Sequence, residues 1–383
     1  MSIPWHRLSP AQCAALQHVA ARAGQQRAQA RARVIQILRG SDHSPAEYDT
    51  ALETIRAHAR VVVHFHPDRL NRQHVPVAQA LLADAVYRNQ FETGLSTGGL
   101  FPSADSPRDV WERELFGGAY HTEGVSDRER PKYGALELIR FADGPIPRFG
   151  SCYFVLRPTV SSRTSFTFAG SEDPRAPWRL GTIDNMDGVM AALMDEIEAG
   201  GLAAPPWPPF STPTLGIANL TVARLLDVLG ALAAPRPDPA ALAAGRVLDT
   251  QIEAQVHGPL ELQEDIELLV ADPSFATTTT GNDLRALAAR FDFPLRWHQG
   301  FELAVREVPG DFRGPHLPRL ARRIAGDGGI VNAAVIGAAE ATLHREPERW
   351  RDWATHVETL QHLKQLWHVL VHHGSRRASS VGA

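Results

Sequence analysis

The chain has 383 residues and a formal net charge of −4 at pH 7, so it lacks the basic excess typical of proteins built to hold nucleic acid. Hydrophobic residues make up 44% of the sequence and charged residues 21%, the balance of a soluble globular protein. No apolar run reaches the length of a membrane span, and the N-terminus has no apolar signal core. We therefore expect a cytoplasmic protein with neither a membrane nor a nucleic-acid partner.

The first part of the chain predicts two helices and then a strand. Ser9-Pro10 and Ser44-Pro45 each combine an N-cap residue with proline at the first helical position. The run RVVVHFH, residues 60–66, is rich in β-branched residues and indicates a strand buried on both faces. Pro67 ends it, and residues 75–91 again show a helical pattern before a loop rich in Gly, Ser and Thr.

The middle of the chain predicts short strands separated by turns and helices. The strands are PKYGALELIRF, GSCYFVLRPTV, RTSFTFAGS and VLDTQIEAQV, and a hairpin is expected about His298-Gln299-Gly300. Proline-rich insertions lie near residues 202–215 and 234–245, where regular structure is disfavoured.

These elements predict an α+β fold: a sheet core between helical N- and C-terminal parts. The expected regions are an N-terminal helical region (1–60), an α+β core (61–315), a C-terminal helical region (316–374) and a disordered tail (375–383).

The triplet His66-Pro67-Asp68 matches the signature of co-chaperone J-domains, but its context differs. In that family the triplet lies between two helices, whereas Val61-Val62-Val63 disfavour a helix here. A second interpretation is a metal site, because His64 and His66, at i and i+2 of a strand, share one face. A catalytic metal needs about three protein ligands, and the sequence contains no second metal motif to supply the third.

The chain as a whole resembles an uncharacterised bacterial family defined by a domain of unknown function. The stretches that carry this resemblance are VVVHFHPDR, FGGAYH, PRFGSCYFVLRP, EAQVHGPLEL and LQHLKQLWHVLVHHG. They cover most of the chain, and the family implies no activity.

The order of the motifs also resembles, remotely, the ADP-ribosyltransferase superfamily of the His–Tyr–Glu type. The strand histidine would be His64 or His66, RFGSCYF would supply Tyr153, and IEAQVHG would supply Glu253. This resemblance implies a mixed or antiparallel sheet core with NAD as substrate. The spacings are longer than in compact members, and the histidine is not followed by glycine.

The resemblance implies roles for these residues. Glu253 would stabilise the positive charge that grows on the nicotinamide ribose, and His64 would hold the ribose hydroxyls, with His66 close to it. Tyr153 would stack on the nicotinamide ring. In the superfamily's arginine class Arg88 would replace the histidine, but that class has Glu-x-Glu where this chain has Glu253-Ala254-Gln255.

Polar residues near the end of the third predicted helix complete the expected site. Arg88 and Gln90 lie beside the glycine-rich loop, where they are placed to recognise an amide or a phosphate. We therefore expect an ADP-ribosyltransferase or NAD glycohydrolase that binds NAD or a related nucleotide, modifies a protein acceptor and needs no metal. Two alternatives stay open: a metal-dependent hydrolase centred on His64 and His66, and a nucleotide-binding protein without turnover.

Overall fold

The computed structural model describes residues 7–95, 102–200, 214–248 and 252–376. The helices are α1 Pro10–Gly40, α2 Pro45–His58, α3 Val77–Asp84, α4 Gln90–Thr93, α5 Pro107–Leu115, α6 Pro158–Ser161, α7 Asp187–Glu198, α8 Val222–Gly230, α9 Leu262–Asp265, α10 Thr279–Arg290, α11 Leu317–Ala325, α12 Ala333–Arg345 and α13 His356–His373. The strands are β1 Arg60–Phe65, β2 Lys132–Glu137, β3 Cys152–Leu156, β4 Thr164–Phe168, β5 Leu180–Thr182, β6 Ile252–Val256, β7 Ile266–Ala271, β8 Leu295–Trp297, β9 Phe301–Ala304, β10 Ile330–Val331 and β11 Ser375–Arg376.

Two sheets organise the fold. The larger has eight strands in the order β5-β4-β6-β2-β1-β3-β7-β8, and the smaller has the order β10-β9-β11. Neighbours in the large sheet are antiparallel except for β7 and β8, which are parallel. Helices lie at both ends of the chain, so the predicted α+β class with a mixed sheet is confirmed.

The first two helices begin as their sequences predict. Ser9 and Ser44 each form a capping box with the residue three positions on, Gln12 and Glu47. Each box satisfies two backbone groups that a helix start would otherwise leave unpaired. Among the described residues, no helix combines the length and the apolar character needed to cross a membrane.

The two central strands of the large sheet separate along their length. β1 pairs with β2 only from Arg60 to Val62, opposite Glu137 to Ala135. Beyond this point β1 continues with β3 on one side, while β2 continues with β6 on the other. We call the place after Val62 and Ala135, where β1 and β2 stop pairing, the strand fork.

The faces of the sheet differ in chemistry. Val61, Val63 and Phe65 belong to the main apolar core. Because side chains alternate along a strand, His64 lies on the opposite face. Val62 is paired with Ala135, which is paired with Glu253, and residues directly opposite one another share a face. His64 and Glu253 therefore project from the same face, on opposite sides of the strand fork.

The predicted helix over residues 75–91 is interrupted in the structure. α3 ends at Asp84, and the residue that caps it, Ala85, has a left-handed backbone conformation with φ 62°. The chain then leaves the helix because the amide of Tyr87 donates to the carbonyl of Leu260 at 2.9 Å, and α4 begins only at Gln90. The apolar periodicity of the sequence does not reveal this contact with a distant segment.

The predicted hairpin about His298-Gln299-Gly300 does not form. β8 and β9 flank this turn, but β8 pairs in parallel with β7 while β9 belongs to the small sheet. The turn therefore leads the chain from one sheet to the other.

Part of the predicted disordered tail is ordered. Ser375 and Arg376 form β11, which pairs with β9. Residues 377–383 of this tail lie outside the described residues, as do residues 202–213 of the first proline-rich insertion and residues 96–101 of the glycine-rich loop.

Substitution of Gly134 tests the strand fork. An alanine Cβ at this position would lie 2.4 Å from the carbonyl oxygen of Val62, which is rigid backbone. We expect Gly134→Ala to lower the free energy of unfolding by about 1–3 kcal/mol, measured by urea denaturation.

Gly24→Ala is the matched control, because Gly24 lies within α1 and an added Cβ meets nothing within 4 Å. It should stabilise the protein by up to about 1 kcal/mol, since alanine has the higher helix propensity. Wild-type stability for Gly134→Ala would contradict the close approach of the two strands.

Candidate functional site

A cavity of about 250 Å³ opens at the strand fork. Its walls come from the end of β1, the start of β2, Glu253 on β6 and the segment around α3 and α4. Aromatic and aliphatic side chains are interspersed with charged ones. The volume is close to the lower end of the range of small-molecule sites, about 300–1,000 Å³.

The walls of the cavity are rich in basic side chains. They are Arg69, Arg88, Arg108, Lys132, Arg148 and Lys364. Lys132 and Lys364 are the only lysines among the 39 basic residues of the chain, and both line this cavity. Asp84, Glu172 and Glu253 are the carboxylates of the lining. The excess of positive charge favours an anionic ligand.

His64 lies on β1 and is held as a neutral imidazole. Its Nδ1 lies 3.1 Å from the carbonyl oxygen of Gly150, so Nδ1 carries the proton that this hydrogen bond requires. Burial lowers the pKa of His64 to about 3. Nε2 is buried without a hydrogen-bond partner among the described residues and lies against Gly144, where an added Cβ would stand 2.6 Å away. A ligand reaches Nε2 only if the turn at Gly144 moves.

His66 follows β1 and also lines the cavity. Its Nδ1 lies 3.4 Å from the Ser151 hydroxyl. Its ring packs against that of Trp367 in a T-shaped arrangement, with the ring centroids 5.1 Å apart. Burial is the main cause that holds the pKa of His66 well below its usual value. Both histidines are thus neutral hydrogen-bonding groups at neutral pH.

Tyr153 supports His64 but does not line the cavity. It is the cross-strand partner of His64, and the two rings stack with centroids 5.0 Å apart. Its hydroxyl donates to the carbonyl of Ala142 at 3.1 Å, and its side chain is buried. The structure therefore places Tyr153 behind the histidine, away from the position expected of a ring that stacks on a ligand.

Glu253 reaches the cavity from β6 and is 8% exposed. Its Oε1 accepts two hydrogen bonds, from the Ser171 amide at 3.1 Å and from Nε2 of Gln255 at 3.0 Å. Burial, together with the negative charge of Glu172, raises the pKa of Glu253 to about 7. Both protonation states are therefore populated at neutral pH, and Oε2 is the oxygen not used by these two bonds.

Arg108 lies near Glu253 on the same wall. Its guanidinium packs over the ring of Tyr133 at 4.6 Å, and its Nε and Nη1 are buried without a hydrogen-bond partner among the described residues. The Tyr133 hydroxyl donates to Glu112 at 2.8 Å, and Arg130 donates to the same carboxylate at 2.9 Å. This buried network fixes the aromatic platform on which Arg108 lies.

The segment between α3 and α4 contributes polar groups to the wall of the cavity. Arg88 lines the cavity while its Nε donates to Asp84 at 2.8 Å. Gln90 also lines it, and its Oε1 is buried without a partner among the described residues. An unpaired amide oxygen of this kind is available to a donor on a ligand.

Five residues expected from the sequence share the cavity lining: His64, His66, Arg88, Gln90 and Glu253. Sequence reasoning missed Arg108, Lys132, Arg148, Glu172 and Lys364, which come from scattered segments. Arg148 and Lys364 lie within the quoted stretches PRFGSCYFVLRP and LQHLKQLWHVLVHHG, but nothing in these stretches marks them as lining residues. The sequence does carry one signal for the lysines: in a chain that otherwise uses arginine, the two lysines are exceptional.

The structure bears on the metal alternative as well. Within residues 7–95, 102–200, 214–248 and 252–376, no group of three or more His, Cys, Asp or Glu side chains is arranged to hold a metal ion. Nδ1 of His64 is also engaged by a backbone carbonyl. In the part of the chain that the structure describes, His64 and His66 thus have no third ligand of the kind that a metal centre needs.

The described residues thus form an α+β protein with a basic cavity at a strand fork. Residues 60–373 match the family described as "Protein of unknown function (DUF3626)", and the chain belongs to this family. The matched range begins with the first residue of β1 and ends with the last residue of α13, so it contains the entire cavity lining. A comparison with curated proteins gives no match.

Removal of the Glu253 charge should stabilise the protein in a pH-dependent manner. Folding raises the pKa of this carboxyl from 4.5 to about 7, so the folded state binds its proton more tightly than the unfolded state does. The stability of the wild type therefore falls as pH rises between these values. We expect Glu253→Gln to have a higher free energy of unfolding than wild type, measured by urea denaturation. This difference should be larger at pH 8 than at pH 5, by on the order of 1 kcal/mol.

The matched control is Glu114→Gln, an exposed carboxylate on α5. This variant should follow the wild type at both pH values. Equal effects of Glu253→Gln at pH 5 and pH 8 would contradict the raised pKa.

Proposed function

We propose that this protein is an ADP-ribosyltransferase-like enzyme that uses NAD as its substrate, either to transfer ADP-ribose or to hydrolyse the glycosidic bond. The observation that carries the proposal is the strand fork, because Glu253 of β6, His64 of β1 and His66, which follows β1, all line the one basic cavity that opens there. These residues come from the motifs in which the sequence resembles that superfamily.

The charges of the cavity suit a dinucleotide. Basic residues outnumber carboxylates among the lining residues, and this balance favours a pyrophosphate, which carries two negative charges. Tyr87, Trp111 and Tyr133 supply apolar surface for flat rings. Burial keeps His64 and His66 neutral, so neither places a positive charge beside the reacting sugar. His66 is the one that can bond a ribose hydroxyl directly, whereas Nε2 of His64 can do so only once the turn at Gly144 has moved.

Glu253 is the residue proposed to act on the reacting bond. The bond from ribose C1′ to nicotinamide breaks with its electron pair leaving on nicotinamide, and positive charge grows on the ribose. An ionised Glu253 presents Oε2 to that charge while Ser171 and Gln255 hold Oε1. An acceptor nucleophile or water then bonds to C1′ and releases a proton.

The Glu253→Gln variant tests the proposal. We expect the wild-type protein to bind NAD and release nicotinamide, and the variant to lose about 100-fold or more in kcat because the amide cannot offset the positive charge. Calorimetry should show NAD binding to the variant within a few-fold of wild type.

Lysine labelling localises the binding. NAD should slow the modification of Lys364, which is half-buried in the cavity wall, by an amine-reactive reagent, read by peptide mass spectrometry. Glu114→Gln is again the control and should keep full activity, since its side chain lies outside the cavity.

The other outcomes of this experiment distinguish the alternatives. NAD binding without release of nicotinamide by the wild type would favour a nucleotide-binding protein that lacks turnover. Stoichiometric metal in protein purified without an affinity tag would favour a hydrolase centred on His64 and His66. Absence of both binding and turnover contradicts the proposal.

The pH dependence of the reaction provides an independent test. The ionised carboxylate is the active form, and the pKa of Glu253 is raised to about 7. We expect kcat to rise about tenfold per pH unit below 7 and to level off above it. A rate that falls across this range would be inconsistent with Glu253 acting as an anion.

A further inference from the structure

A chain of hydrogen bonds leads from Glu253 into the interior of the sheet. Nε2 of Gln255 donates to Glu253 at 3.0 Å, and the Ser165 hydroxyl donates to Oε1 of Gln255 at 2.8 Å. Oγ of Ser165 lies 3.0 Å from Nε2 of His257, and Nδ1 of His257 lies 2.5 Å from the Tyr120 hydroxyl. We call Gln255, Ser165, His257 and Tyr120 the glutamine relay. All four side chains are buried.

The direction of each bond in the glutamine relay follows from the Tyr120 hydroxyl. The structure gives that hydroxyl no acceptor other than His257 among the described residues, so it donates to Nδ1. Burial lowers the pKa of His257 to about 3, so the imidazole is neutral and its single proton is on Nε2. Nε2 then donates to Ser165, whose own proton goes to Gln255.

The last bonds of the glutamine relay are those of the Gln255 side-chain amide. Its two ends are alike in size, and only their hydrogen-bond partners decide which end faces Glu253. With Oε1 engaged by Ser165, Nε2 donates to both Glu253 and Thr167, the latter at 3.1 Å. A reversed amide would instead point a carbonyl oxygen at the carboxylate, which repels its ionised form.

We propose that the glutamine relay positions Glu253 for catalysis, because a proton placed by Tyr120 fixes the orientation of the Gln255 amide three groups away. This inference rests on the proposed function for its kinetic consequence, but the hydrogen-bond order itself is a property of the protein without ligand. Gln255, Ser165, His257 and Tyr120 are positioning residues, since they act through Glu253 and do not line the cavity.

Other groups also face Glu253 and must be kept constant in a test. Glu172 and Arg108 act on it through their charges, and Ser171 donates its amide. Substitutions within the glutamine relay leave these three residues in place. Tyr120→Phe removes one hydroxyl and keeps the ring, which packs edge-on against Phe116 and stacks on His257.

The experiment compares Tyr120→Phe and Ser165→Ala with a control, Tyr48→Phe. Tyr48 is also a buried tyrosine whose hydroxyl donates to a side chain, Asp187 at 3.0 Å, but it lies outside the relay and the cavity. The ¹⁵N shifts of His257 report its tautomer, and ¹³C-labelled glutamate reports the pKa of Glu253. Steady-state kinetics with NAD separate kcat from KM.

We expect wild type and Tyr48→Phe to show the Nε2–H tautomer of His257. Tyr120→Phe should also populate the Nδ1–H tautomer. Both relay variants should raise the pKa of Glu253 by about one unit, because the carboxylate loses a hydrogen-bond donor. With NAD, kcat should fall about tenfold at neutral pH with KM nearly unchanged, and the rise of kcat with pH should move to higher pH.

The spectroscopic measurements test the hydrogen-bond order of the relay, and the kinetic measurements test its catalytic role. If Tyr120→Phe and Ser165→Ala fold and the Glu253 pKa stays at the wild-type value in both, the relay is overturned, whatever the activity. If one variant does not fold, the other decides. A raised Glu253 pKa in a protein that neither binds nor consumes NAD would support the hydrogen-bond order, overturn its catalytic role and contradict the proposed function.

Discussion

The separation of β1 from β2 after Val62 and Ala135 is the constraint on which the cavity depends. Where the two strands part, the backbone groups on their facing edges lose each other as partners, while β1 stays paired with β3 and β2 with β6 on their other edges. The Tyr87 hydroxyl donates to one backbone group of this region, the carbonyl of His64, at 3.4 Å. Polar and aromatic side chains line the opening, which is the cavity.

The cavity combines two electrostatic features that oppose each other. Its basic residues favour an anion, yet the carboxyl of Glu253 lies among them. Burial and Glu172 favour the protonated form of Glu253, whereas Arg108 and the donors on Oε1 favour the ionised form. The resulting balance leaves the carboxyl responsive to a ligand, because any cationic group placed nearby would shift it towards ionisation.

The sequence predicts much of the local structure and only part of the site. Capping residues locate α1 and α2, and the β-branched run locates β1, because these signals act within a few residues. The break at Ala85 and the parallel pairing of β8 depend on contacts with distant segments, at Leu260 and β7, which periodicity does not encode. His64 and Glu253 are found through motifs, whereas Arg108 and Glu172 carry no local signal. Tyr153 stands in the motif but lies behind His64, since strand alternation fixes a face and not the depth of a side chain.

The buried imidazoles have a consequence for the fold in acid. The pKa values of His64 and His257 are lowered to about 3, and those of His66 and His368 are lowered well below the usual value, in each case mainly by burial. Unfolding exposes these rings, which then take up protons below about pH 6.5 while the folded state does not. Their contribution to stability is complete above that pH and is lost as the solution becomes more acidic. The burial that keeps these histidines neutral thus also makes proton uptake a driving force for unfolding.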